Sequence, residues 1–230
     1  MTKIYVIGIG YKPFDEKTRE IVCNSEIILA SHRLFDVFKR YEEFEIVKDK
    51  VMVIDTVDET INFIKLNLQT LNSEPRTIIT LLASGDPMFF GIGRRIINEF
   101  GKEIVEILPD LSSIQIAFSR IKETWDDALL ISLHGGPDPT KRRKLNYELK
   151  DIPLLLKKYK KIAILTDKEN NPSEIVKVLH SSFFTHHLQL TLYVCERLGY
   201  PDEKITERTY TDIATMSFSA PNVVIIIQKS

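Results

Sequence analysis

Apolar and polar positions alternate in blocks along this chain, and the blocks predict its elements. "KIYVIGIG" is a β-branched run that ends in glycines, the pattern of a buried strand. "PFDEKTREIVCNS" reads as a helix, with Pro13 early and acids in the first turn. "EIILAS" is a second buried strand, and "VDETINFIKLNLQTL" places apolar residues at helical spacing. "RTIITLLAS" then predicts a strand, "IGRRIINEF" a helix and "EIVEILP" another strand. "SSIQIAFSRI" predicts a short helix capped by Ser112 or Ser113. Strand and helix in turn are the signature of a mostly parallel sheet.

The second half begins another series. "DDALLISLHGG" is a strand ending in a glycine turn. "LKDIPLLLKKY" is helical, with Pro153 disturbing its early turns. "KKIAILTD" is a strand, and "PSEIVKVLH" a helix with Pro172 near its start. "QLTLYVCERLG", "KITERTY" and "NVVIIIQK" are strands with no long helix between them, so they are expected to be antiparallel. No repeat, low-complexity tract or Gly/Ser linker interrupts the series. The expectation is an α/β fold of two lobes, residues 1–110 and 111–230, with a cleft between them.

One stretch is not explained by packing. In "LASGDPMFFGIG", Leu82 to Gly93, an apolar run stops on Ser84-Gly85-Asp86-Pro87 and restarts through Phe89 and Phe90. A plain turn rarely needs Gly, Asp and Pro together. A shaped loop at the carboxyl end of a strand is where open α/β sheets bind ligands. "GIG", "SLHGG" and "LTD" end three other strands in the same way. Four such loops over both lobes suggest one polar ligand of low net charge.

Composition narrows the classes. Of 230 residues, 43% are hydrophobic and 27% charged, enough for a sizeable core. The 31 Lys+Arg and 32 Asp+Glu give no basic surplus for nucleic acid or an acidic membrane. Two cysteines far apart, Cys23 and Cys195, suit a reduced cytoplasmic compartment. The N-terminus lacks a signal-peptide h-region, and no apolar run reaches spanning length. "GIGYKP" puts Pro13 where a dinucleotide fingerprint needs its third glycine, and neither GK[ST] nor G-x-S-x-G occurs. The five histidines, His32, His134, His180, His186 and His187, form no metal spacing, so no protein-bound metal is expected. His186-His187 reads as an exposed turn. His134, on a strand-end glycine turn, suits a ligand role or a structural one equally. "KRRK", Lys141 to Lys144, reads first as a solvated helix start, though it follows a loop that could meet an anion.

These stretches carry a resemblance along the whole chain. "VIGIG", "LASGDPMFFGIG", "LPDLSSIQIAF", "WDDALLISLHGG", "AILTDKENNPSEI", "CERLGYPDEKITE" and "APNVVII" are similar to segments of the tetrapyrrole methylases, the class III S-adenosylmethionine (SAM) enzymes of cobalamin biosynthesis. "SGDPxF" is shared across that superfamily. "WDDALLISLHG" with "ERLGYPDEKI" resembles, more narrowly, the C5-methylating members of the precorrin-6Y C5,15-methyltransferase family.

The resemblance implies a bilobal fold with SAM in the cleft, and methylation of C5 of cobalt-precorrin-7 or its metal-free counterpart. It implies SAM contacts at Ile9, Gly10, Gly85, Asp86, Phe89, Ser112 and Ser113, and at Leu133, Thr166 and Pro221. Gly85, with no Cβ, would let backbone approach the cofactor, while Asp86 would accept hydrogen bonds from it. Many members read "LHGR" where this chain has Leu133-His134-Gly135-Gly136. Lys12, Lys141, Arg142 or Arg143 would replace the missing cation, so Lys12, His134, Arg142 and Arg143 are candidate substrate contacts. The reaction implied is direct displacement at the sulfonium methyl, with no catalytic residue assigned. The resemblance further implies a cytoplasmic homodimer. Because the chain stops at Ser230, a separate protein is expected to carry out C15 methylation and decarboxylation. The rival readings are a sister methylase acting at another ring carbon or on a protein, and a SAM-binding module without turnover.

Overall fold

The computed structural model describes residues 2–70, 77–134, 145–183 and 185–229. They form two compact units, Met1–Ser112 and Ser113–Ser230.

In the first unit the order is β1 (Lys3–Ile9), α1 (Glu16–Cys23), β2 (Ile27–Ala30), α2 (His32–Phe38), α3 (Phe44–Val47), β3 (Val51–Val53), α4 (Val57–Thr70), β4 (Ile78–Ser84), α5 (Gly93–Phe100) and β5 (Val105–Leu108). The strands form one parallel sheet in the order β3-β2-β4-β1-β5. The centre of this sheet explains the unbroken apolar runs. β4 is buried over five consecutive positions, because helices cover both faces of a parallel sheet. Ile4, Val6, Leu29, Ile64, Ile79 and Ile96 form the heart of this core.

α1 starts later than its sequence suggests. The Asp15 side chain accepts from the Thr18 N–H at 2.8 Å and caps the helix, so Pro13 and Phe14 lie before it. Phe14 instead stacks on Tyr41, with ring centroids 4.6 Å apart. The short elements α2, α3 and β3 carry too few periodic positions to stand out from the sequence.

The second unit runs α6 (Ser113–Ile121), β6 (Leu129–Ser132), α7 (Ile152–Leu155), β7 (Lys161–Leu165), α8 (Pro172–Ser181), β8 (Leu190–Glu196), β9 (Lys204–Thr209), α9 (Tyr210–Ile213) and β10 (Asn222–Gln228). Its sheet has the order β6-β7-β10-β8-β9. β6 and β7 are parallel, and the remaining pairs are antiparallel as expected. β10, last in sequence, lies between β7 and β8, which makes "NVVIIIQ" a central strand. Pro153 sits at the start of α7, where its missing N–H costs no helical bond, and a 3-10 turn at Leu149–Asp151 leads into it.

Lys161 is 7% exposed at the first position of β7. Its ammonium donates to the Thr124 carbonyl at 2.7 Å and to Asp127 Oδ1 at 2.9 Å, which supplies the partners a buried charge requires.

Candidate functional site

The carboxyl ends of β1, β4 and β5 are knotted together by two glycines and one aspartate. β1 and β4 pair in register up to Ile9 opposite Ser84. The Gly85 N–H donates to the Ile9 carbonyl at 3.0 Å, and the Asp110 N–H to the Gly85 carbonyl at 3.2 Å. A Cβ on Gly8 would lie 1.8 Å from the Gly85 carbonyl oxygen and 2.5 Å from the Asp110 nitrogen. Only glycine fits there. Gly85 has φ +60°, and a Cβ on it would meet the Leu111 carbonyl oxygen at 2.7 Å. The room that glycine creates at Gly85 is thus filled by the chain's own backbone at Leu111.

Gly10 differs. Its φ is +134°, and among the described residues no atom beyond its chain neighbours lies within 4 Å of where a Cβ would be. The loop it begins is held from two sides. Gly10 N–H donates to Tyr41 Oη at 2.8 Å. Asp110 Oδ2 accepts from the Tyr11 N–H at 2.7 Å and the Lys12 N–H at 3.2 Å, while its Oδ1 accepts from the Leu111 N–H at 2.7 Å. Burial pushes the Tyr41 phenol up to about 12, and the Gly10 N–H partly offsets that effect. The phenol is therefore neutral over the ordinary pH range, and its oxygen accepts from the Gly10 N–H in that form.

Asp110 and Tyr41 were both missed in the sequence. Asp110 carried a usable signal, an Asp straight after a buried strand and just before Ser112-Ser113. Tyr41 carried none, because it lies 31 residues from Gly10 and the bond joining them is tertiary.

The loop after β4 is a chain of turns. Asp86 Oδ1 accepts from the Met88 N–H at 2.8 Å, and the Asp86 carbonyl accepts from the Phe89 N–H at 3.1 Å. Among the described residues nothing bonds Asp86 Oδ2, which leaves it able to accept from a ligand. Phe89 meets Phe90 edge-on, with centroids 4.8 Å apart. The Pro87 carbonyl accepts from the Gly93 N–H at 2.8 Å, and a Cβ on Gly91 would lie 2.5 Å from that oxygen. The glycines of "FFGIG" therefore let the loop fold back on Pro87.

Ile9 is buried in the core, so only its backbone can face a ligand. Ser112 is buried beside Gly85, and Ser113 opens α6. Lys12 is exposed.

Three of the second unit's candidates gather at the ends of β6 and β7 and the start of β10. Leu133 is fully buried; its N–H donates to the Leu165 carbonyl at 2.8 Å, and its carbonyl accepts from the Asn170 side chain at 2.8 Å. Thr166 Oγ1 bonds the Asn222 carbonyl at 2.7 Å and Asn222 Oδ1 at 2.6 Å. The Pro221 carbonyl accepts from the Arg197 N–H at 2.8 Å. His134 is exposed, with its N–H on Ser132 Oγ at 3.3 Å. Lys141, Arg142 and Arg143 lie outside the described residues.

The family model of the tetrapyrrole (corrin/porphyrin) methylases matches residues 3–214. The chain belongs to this family. A probable cobalt-precorrin-7 C(5)-methyltransferase of Methanocaldococcus jannaschii is 30% identical over 222 residues, which cover 94% of this chain and 93% of that protein. The precorrin-6Y methylase of Archaeoglobus fulgidus shares the fold, with a TM-score of 0.64 at 19% identity over 99% of both chains. A Thermus thermophilus uroporphyrin-III C-methyltransferase, complexed with S-adenyl homocysteine, does so with a TM-score of 0.64 at 16% identity, over 97% of this chain and 91% of that one. As a tetrapyrrole methylase, the chain is a SAM-dependent methyltransferase.

Proposed function

We propose that this tetrapyrrole methylase transfers a methyl group from SAM to C5 of cobalt-precorrin-7, a step of cobalamin biosynthesis. The observation that carries the reading is the likeness to the Methanocaldococcus jannaschii protein, which covers 94% of this chain and therefore runs through both units.

The local geometry fits a SAM site on the first unit. Gly10 offers open space beside its Cα, on a loop pinned by Asp110 and Tyr41. Asp86 keeps one carboxylate oxygen for the hydroxyl or amino donors of SAM. Phe89 follows on the same loop, its N–H held by the Asp86 carbonyl, and its ring is proposed to give SAM an apolar contact. From the second unit, Leu133, Thr166 and Pro221 are retained as contacts on the family resemblance alone. Their backbone and hydroxyl bonds hold the strand ends in fixed positions, a requirement for placing a ligand.

A sulfonium methyl is already activated for transfer. The chain's task is therefore to align carbon, methyl and sulfur and to exclude competing nucleophiles. Lys12 and His134, with Arg142 and Arg143, are proposed to meet the carboxylates of the corrinoid. A cytoplasmic homodimer working beside a separate C15-methylating, decarboxylating protein completes the proposal. The test is mass spectrometry of the product formed from cobalt-precorrin-7 and SAM. One added methyl, with label at C5 and every carboxyl retained, is expected. A second ring methyl or lost carbon dioxide would refute the reading.

A further inference from the structure

The first unit carries a histidine–aspartate pair that nothing above employs. His32 opens α2 directly after β2, and Asp55 follows β3, the strand beside β2. Both carboxylate oxygens of Asp55 are turned to this one residue. Oδ1 accepts from the His32 backbone N–H at 2.8 Å, and Oδ2 pairs with the ring Nδ1. The pairing holds the Asp55 carboxyl below the usual carboxylate range, through the backbone bond first and the ring bond second. A carboxylate on Nδ1 fixes the proton there in the neutral ring, and the lone pair is left on Nε2. Among the described residues nothing bonds Nε2, and the His32 side chain is 77% exposed.

The pair stands on the ligand edge of its sheet. All five strands are parallel, so β2 and β3 end on the same edge as β1 and β4. β2 adjoins β4, with Leu29 opposite Leu81. Three residues further along each chain come His32 and Ser84, and Gly85 follows Ser84. α2 packs against β1, β2 and β4, and just beyond it Tyr41 holds Gly10. The segment from His32 to Tyr41 thus links the end of β2 to the Gly10 loop. Capping of α2 accounts for the backbone bonds, from Leu34 N–H to Ser31 and from His32 N–H to Asp55 Oδ1, but not for the second bond, between Asp55 Oδ2 and the His32 ring.

We infer that His32 Nε2, oriented by Asp55, is the proton acceptor for methylation. The inference rests on the methyl-transfer reading above. When the ring carbon attacks, a new C–CH3 bond forms, the S–CH3 bond breaks, and its electron pair stays on sulfur. A ring carbon that carried hydrogen must then lose that proton to regain its double bond. The C–H electrons return to the ring, and the proton passes to Nε2 and on to water.

The experiment compares wild type, His32→Ala and Asp55→Asn with cobalt-precorrin-7 and SAM, and titrates each with S-adenosylhomocysteine by calorimetry. His32→Ala is expected to lower kcat about 100-fold with KM for the corrinoid and the Kd for S-adenosylhomocysteine unchanged. Added imidazole should restore a measurable part of kcat. Asp55→Asn can offer an N–H to Nδ1 and so favour the tautomer with Nε2 protonated; the same fall in kcat at unchanged KM is expected. Wild-type kcat in His32→Ala, a rise in KM alone, or a fall that imidazole does not relieve would overturn the base. A wild-type enzyme that binds S-adenosylhomocysteine yet leaves cobalt-precorrin-7 unmethylated overturns the substrate reading, and the base with it.

Discussion

Gly8 and Gly85 meet backbone to backbone at the ends of β1 and β4, so closely that a Cβ on Gly8 would overlap the Gly85 carbonyl oxygen at 1.8 Å. The contact is between main-chain atoms, which cannot rotate away as a side chain can. It fixes the starting points of the loops after β1 and β4 relative to each other.

The first prediction separates three glycines. Gly8→Ala and Gly85→Val should each cost more than about 4 kcal/mol, because backbone must shift. Gly10→Ala has room and pays only for its positive φ, about 1–3 kcal/mol. Thermal unfolding should show a folded Gly10→Ala that binds S-adenosylhomocysteine weakly, beside Gly8→Ala and Gly85→Val proteins that fail to fold. A stable Gly85→Val protein with lost binding would instead favour direct cofactor approach at Gly85.

Asp110→Ala leaves the N–H groups of Tyr11, Lys12 and Leu111 without their acceptor. We expect a loss of about 2 kcal/mol in stability and a larger proportional loss of S-adenosylhomocysteine affinity, since the Gly10 loop is released. Chemical denaturation paired with calorimetric titration reads both. Affinity unchanged in a destabilised protein would show the loop's order to be irrelevant to binding.

Tyr41 predicts a pH dependence at the alkaline end. Its phenol is pushed up to about 12 by burial, above the ordinary value of 10.0. Between those values the unfolded chain loses the proton while the folded one keeps it. Stability from this group is therefore complete below about pH 10 and declines as pH rises toward 12. Tyr41→Phe should flatten that alkaline decline and lower stability at neutral pH by about 1 kcal/mol, because the Gly10 N–H loses its partner. Absorbance at phenolate wavelengths, followed against pH in both proteins, tests it.

The proposed cationic contacts to the corrinoid predict a difference in salt sensitivity. Exposed cations attract carboxylates less as ionic strength rises. Corrinoid affinity should therefore fall with salt more steeply than S-adenosylhomocysteine affinity. Lys12→Ala, Arg142→Ala and Arg143→Ala should each make the corrinoid dependence shallower. Parallel salt slopes for the two ligands would count against cationic anchoring.

The sequence by itself determined which segments are buried strands, where α4, α5 and α8 lie, that the last strands are antiparallel, and which family the chain belongs to. These are local properties: a run of β-branched residues, a 3.6-residue period, or a Gly-Asp-Pro turn is written in neighbouring positions. It also placed the strand-end loops, because dense turn chemistry after an apolar run is itself local. Only the tertiary structure decided what those loops do to one another. It put β10 between β7 and β8, gave the space at Gly85 to Leu111, tied Gly10 to Tyr41 and Lys12 to Asp110, and brought Asp55 to His32. Each of these joins residues tens of positions apart through strand order and register, and a linear pattern carries no distance between segments until a sheet aligns them.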